Sequence, residues 1–143
     1  MRKVERLMLR AIHNLMGRAD YAGSIRCSDN TIVEQTHHGI AGTIGYQRII
    51  SVRLHGNEIA AIRPGEDTLW LSDCGWQTVT TKARLNVLIH ALTRPSYYGG
   101  IYQESGQWLR TTSSGARYAW SGQDVFPVHL DADNYYLQCA GIA

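Results

Sequence analysis

Ile49-Ile50-Ser51-Val52-Arg53-Leu54-His55-Gly56-Asn57-Glu58-Ile59-Ala60-Ala61-Ile62-Arg63 is the stretch whose reading decides the fold. Ile49 to Leu54 and Glu58 to Arg63 are β-rich runs joined by His55-Gly56-Asn57, where glycine permits the positive φ that a tight hairpin needs. Pro64-Gly65-Glu66-Asp67 is turn chemistry, and Thr68 to Leu71 adds a third strand in meander order, ended by Ser72-Asp73-Cys74-Gly75. A helix then follows. Thr80 or Thr81 can cap it, since a hydroxyl there accepts an otherwise orphaned backbone N–H; Leu85, Leu88, Ile89 and Leu92 mark its buried face, and Arg94-Pro95 stops it. A meander followed by a packed helix predicts an α+β fold.

Upstream of this unit, Val4, Leu7, Met8, Ala11, Ile12, Leu15 and Met16 recur at three-and-four spacing, which predicts an amphipathic helix over residues 3–16 with Gly17 as its C-cap. Ser28-Asp29-Asn30 reads as a turn and Thr31 to Glu34 as a short strand. Gln35 to Tyr46, with Gly39, Gly42 and Gly45, reads as a loop or an irregular hairpin. Its His37-His38 pair has no third His, Cys or carboxylate at ligand spacing, so a surface loop is expected there rather than a metal.

Downstream of Pro95 the apolar residues become aromatic. Tyr97, Tyr98, Tyr102, Trp108, Tyr118, Trp120, Phe126, Tyr135 and Tyr136 are spread over short runs at Gly100 to Glu104, Gln107 to Thr111, Arg117 to Trp120 and Val125 to Leu130, read as strands or strand fragments. The chain holds four Trp and eight Tyr against one Phe. Both majority types carry a polar tip that needs a partner when buried, so half-buried, wet surfaces suit them.

With 143 residues, 44% hydrophobic and 18% charged, the chain is long enough to bury a core without disulfide or metal, and a single domain spanning residues 1–143 is expected. Its parts would be a helix at 1–17, a core unit at 30–92 and an aromatic-rich β region at 97–143. Cys27, Cys74 and Cys139 form no Cys-x-x-Cys pair and read as structural free thiols. No stretch has the run of about 18–20 apolar residues that a membrane helix needs, and no signal-peptide pattern opens the chain. The cytoplasm of the cell that makes it is the expected compartment, without a membrane partner.

Net charge is only +2, yet it is uneven. Arg2, Lys3, Arg6, Arg10, Arg18 and Arg26 face Glu5 and Asp20 in the first 28 residues, whereas Asp124, Asp131 and Asp133 stand without Lys or Arg in residues 121–143. Arg2, Arg6 and Arg10 are spaced i, i+4 and form a basic stripe suited to phosphate contact or to plain solvation, the commoner role. Joined with Lys82 and Arg84 and with the C-terminal aromatics, the stripe makes the chain's nucleic-acid candidate for DNA or RNA.

Catalytic chemistry is not legible. There is no Gly-x-Ser-x-Gly elbow, no Walker-type Gly-Lys-Ser/Thr and no Gly-x-Gly-x-x-Gly leading from strand to helix. Glu66-Asp67 and Asp131-x-Asp133 sit in turn-like or tail-like surroundings where both acids are solvated. For an enzyme of unrecognised type, His55, Asp73 and Cys74 are the candidate reactive groups. No catalytic residue, metal site or cofactor is assigned.

Asn30-Thr31-Ile32-Val33, Leu54-His55-Gly56-Asn57-Glu58-Ile59-Ala60 and Gly75-Trp76-Gln77-Thr78-Val79-Thr80-Thr81-Lys82-Ala83-Arg84-Leu85-Asn86 occur in an order and spacing that resembles a group of small hypothetical proteins of tailed bacteriophages. The resemblance covers residues 30–92 apart from the Gln35 to Tyr46 insert, with a looser likeness over the N-terminal helix and Ile101 to Trp108, and does not extend to the far C-terminus. It implies a phage origin and, since the group has no assigned activity, no catalytic residues. Read physically, the blocks mark the start of a strand, a hairpin turn and a strand-to-helix junction, where Gly, Asn and Thr have structural jobs.

Trp76, just before the helix, is expected to close the core. Trp76, Tyr97, Tyr98, Trp108 and Trp120 are the candidate protein-interface residues. The expected function is that of a non-catalytic effector that binds a host protein of the defence or transcription machinery, with nucleic-acid binding and a virion structural or decoration role as the alternatives. A homodimer covering sheet edges is compatible with the pattern.

Overall fold

The computed structural model describes residues 1–142. Helix α1 (Lys3–Met16) is followed by strands β1 (Gly23–Arg26), β2 (Thr31–His38), β3 (Gln47–Leu54), β4 (Asn57–Arg63) and β5 (Thr68–Ser72), then helix α2 (Val79–Leu92). Strands β6 (Gly100–Glu104), β7 (Gln107–Thr111), β8 (Arg117–Ala119) and β9 (Gln123–Pro127) and the short helix α3 (Tyr135–Cys139) complete the chain. The α+β expectation holds, with antiparallel pairing throughout and α2 directly after the third strand of the β3–β4–β5 meander.

Two sheets form. The larger has the order β1-β2-β3-β4-β5-β9 and the smaller the order β6-β7-β8. Helix α1 lies over β2 and β3, and α2 over β4 and β5, so both helices cover one face of the larger sheet. Side chains alternate across a strand, and the register aligns Ile50, Ile62, Leu69 and Phe126 in one core row. The opposite row, Glu34, Ser51, Ala61, Trp70 and Val125, lies on the sheet's other face.

The β3–β4 turn is the two residues His55 (φ 51°) and Gly56 (φ 80°), both left-handed, the pairing that matches the right-handed twist of a hairpin. Ser105 and Gly106 repeat it between β6 and β7.

Two local readings are revised, and two elements appear that the sequence did not show. Of the loop and the irregular hairpin expected over Gln35 to Tyr46, the hairpin is found, with Gln35 to His38 paired in β2: buried Gln35 donates to the carbonyls of Arg18 and Tyr21 and accepts from Arg48, a satisfied network that holds the strand's end in the core. Strand β1, too short and too glycine-rich to show in the sequence, pairs with β2 along its whole length. Helix α2 is capped by Thr78, whose hydroxyl accepts from the Thr81 N–H at 3.1 Å, rather than by Thr80 or Thr81. Helix α3 rests on Asn134, whose side chain accepts from the N–H groups of Tyr136 and Leu137.

Helix α1 lacks a side-chain cap at its C-terminal carbonyls from its own sequence. Arg48 of β3 supplies one, donating to the carbonyls of Leu15 and Met16 at 2.7 and 2.8 Å. Helix α2 is buried nearly all round, since α1, α3, β6 and the sheet enclose it.

Candidate functional site

Two turns and a helix start meet at one end of the larger sheet. The β3–β4 turn contributes Leu54, His55 and Asn57, with Ile59 behind them; the loop after β5 contributes Asp73 and Trp76; the first turn of α2 contributes Thr78, Thr80 and Thr81. These residues line an open cleft of about 390 Å³, a volume within the range of small-ligand and side-chain pockets.

The local chemistry explains the cleft's shape. Cys74 (φ 53°) and Gly75 (φ 79°) repeat the left-handed pair of the hairpin turn and reverse the chain after β5. Asp73, buried, fixes that reversal. Its carboxylate accepts from the Gly75 N–H at 2.8 Å, from the Gln77 amide at 3.2 Å and from the buried Trp120 indole N–H at 2.9 Å. With three donors engaged, Asp73 serves as a pin for the loop. The Cys74 thiol donates to the Glu58 carbonyl at 2.9 Å, tying the same loop to β4.

The reversal carries Trp76 outward. Trp76 is 62% exposed and Val79, one turn into the junction, 70% exposed. The expectation that Trp76 closes the core is therefore corrected: Trp120 occupies the buried position and takes the Asp73 hydrogen bond, which leaves Trp76 on the rim. The cleft joins an apolar floor of Leu54 and Ile59 to an exposed indole, with hydroxyls and His55 around it. Its one carboxylate is already partnered. An uncharged, largely apolar group fits such a surface.

The other interface candidates divide. Trp108 and Trp120 are buried in the core cluster and present no face to a partner. Tyr97 stands edge-on to Phe126 at 5.3 Å, and Tyr98 accepts a hydrogen bond from Asn134 at 2.9 Å; both are half-buried. Burial pushes the Tyr98 phenol above its ordinary value, opposed by that hydrogen bond.

The nucleic-acid constellation is also redrawn. Arg84 is buried and pairs with buried Glu5 at 3.2 Å, so it cannot reach phosphate. Burial lowers its pKa, and the adjacent Glu5 charge only partly offsets this. Lys82 lies over the Trp108 ring, 5.9 Å from its centre, on a different element from the α1 stripe. Arg10 is exposed on α1, Arg2 is exposed at its N-cap and Arg6 is half-buried. Nothing local signals the Glu5–Arg84 pair, because its members are 79 residues apart.

Of the three reactive-group candidates, His55 and Asp73 line the cleft and Cys74 flanks it. His37 meets Tyr46 through Nδ1 at 2.5 Å and the Tyr21 carbonyl through Nε2 at 3.0 Å, so both ring nitrogens are engaged within the fold. Among the described residues no group of three or more His, Cys, Asp or Glu could hold a metal ion, and no helix is long and apolar enough to cross a membrane.

A family model described as Kyanoviridae Gp96 protein matches residues 1–126. No curated protein and no solved structure matches the chain. The matched span takes in the cleft and both sheets and stops within β9, leaving α3 outside it.

Proposed function

The chain belongs to the Kyanoviridae Gp96 protein family, a bacteriophage family, and from that premise we propose that it is a non-catalytic accessory protein that binds and modulates a host protein in the host cytoplasm. The observation that carries this reading is Trp76, exposed on the rim of the cleft and flanked by exposed Val79. Exposed tryptophans beside a pocket are the residues most enriched among interface hot spots, where truncation costs about 2 kcal/mol or more, roughly thirtyfold in affinity. The partner surface is apolar and uncharged, because the cleft offers no free charge of its own. Defence and transcription components are the host machinery a small phage protein of this kind would address.

The test is affinity capture from host lysate with tagged wild type and a Trp76→Ala variant. Wild type should retain one stoichiometric host protein, and the variant should lose it while melting at the wild-type temperature. A blank with wild type, or equal retention by the variant, overturns the reading.

A further inference from the structure

The face of α1 turned away from the core carries Lys3, Arg6, Arg10 and His13, which the helical period sets along one stripe. Its cations differ from four arginines elsewhere in the molecule. Arg53, Arg84, Arg110 and Arg117 each meet a carboxylate. Among the described residues Lys3, Arg6, Arg10 and Arg26 meet none; Arg6 and Arg26 reach only the backbone carbonyls of Met1 and Ser28. The helix's single acid, Glu5, faces inward, with one oxygen on the Arg2 N–H and the other on Arg84.

A shallow groove of about 200 Å³ runs between α1 and the edge strand β1, with Arg10 and Arg26 on its two walls and Leu7, Ala11 and Ile25 on its floor. Like charges held together without counter-charge raise the local potential and draw a polyanion. No aromatic side chain lines the groove, so bases find nothing to stack on, and the contacts available are to phosphates. None of the lining residues is a large exposed apolar group, so a lipid surface finds no anchor there.

The geometry points to the phosphodiester backbone of duplex nucleic acid as the ligand of this face, bound without sequence preference by Lys3, Arg6, Arg10 and Arg26. These residues are distinct from those of the Trp76 cleft, and the inference stands independently of the host-protein reading.

Fluorescence anisotropy with a labelled random-sequence 20-base-pair duplex tests it. Neutralising four phosphates gives a slope of log affinity on log salt near −3.6, so wild type should lose affinity on the order of a hundredfold between 50 and 200 mM salt. The Arg6→Ala/Arg10→Ala/Arg26→Ala variant should lose about 2.7 from that slope and keep its melting temperature. The matching Arg→Lys set retains charge and should retain the slope. The inference fails if wild type does not bind the duplex at 50 mM salt, if the alanine set binds as wild type does, or if the lysine set loses as much as the alanine set. It fails equally if the protein binds vesicles containing phosphatidylserine but not the duplex.

Discussion

Strands β4 and β7 both run between two antiparallel neighbours, yet they are held in different ways. Ile59, Ala60, Ala61 and Ile62 of β4 are all buried, and the strand sits in a continuous aliphatic core with α1 and α2. Only Trp108 of β7 is buried. The smaller sheet around β7 reaches that core with few side chains, Ile101 and Trp108 among them, and is otherwise fastened to the body by individual polar ties. Asn86 of α2 brackets Ile101 with two hydrogen bonds, Arg110 pairs with Asp124 of β9 at 2.8 Å, and Trp120 reaches Asp73. Area burial is non-directional and shared by many contacts, whereas a tie depends on two groups. The body should therefore fail cooperatively and the C-terminal third one attachment at a time.

Leu88→Ala, at a fully buried site in α2, should cost about 3–4 kcal/mol and lower the denaturant midpoint of the larger sheet and its helices in a single transition. A body that unfolds in more than one step would break the comparison from the body's side.

Arg84→Met should cost about 3 kcal/mol, because Glu5 is left charged and buried without its partner. Adding Glu5→Leu should recover most of that loss in the same urea titration. An unrecovered double variant would mean that the pair itself, and not the orphaned carboxylate, holds the helices together.

Asp73→Ala should cost about 2 kcal/mol by orphaning the Trp120 indole and the Gly75 N–H. Hydrogen exchange should quicken over residues 74–77 and 120–122 while α2 stays protected. Faster exchange spread evenly over α2 would show that the two regions are one cooperative unit after all.

The smallest effect concerns Cys27, where burial raises the thiol pKa to about 11 against the opposing influence of Arg84. Below pH 9 the thiol is protonated folded and unfolded and contributes nothing to the slope. Between pH 9 and 11 the unfolded chain ionises first, so stability falls as pH rises. Urea midpoints of wild type and Cys27→Ala, followed from pH 8 to 11, should diverge only above pH 9.

Periodicity revealed what periodicity builds. The three-and-four spacing of α1 and the turn between β3 and β4 were legible, as were β6 and β7 to their ends. Strand β1 was not, since four residues opening on glycine carry too little pattern. The buried role of Arg84 was hidden by a partner on another helix, and the exposure of Trp76 by the fact that Trp120, 44 positions later, takes the inner place. Two of the quoted blocks, Leu54 to Ala60 and Gly75 to Asn86, could be read only as separate turns. That they line one cleft follows from the sheet register, which places the β3–β4 turn beside the end of β5.

Strand β9 joins the larger sheet from the far end of the sequence, and Gln123 meets Trp70 of β5 across 53 residues. At a synthesis rate of roughly 5–20 residues per second, on the order of 3–10 s separate the two on the ribosome. The β6–β7 hairpin, built from local pairs, closes in about microseconds and is complete long before. For those seconds Thr68 to Ser72 is an open edge that a neighbouring nascent copy on the same message can occupy.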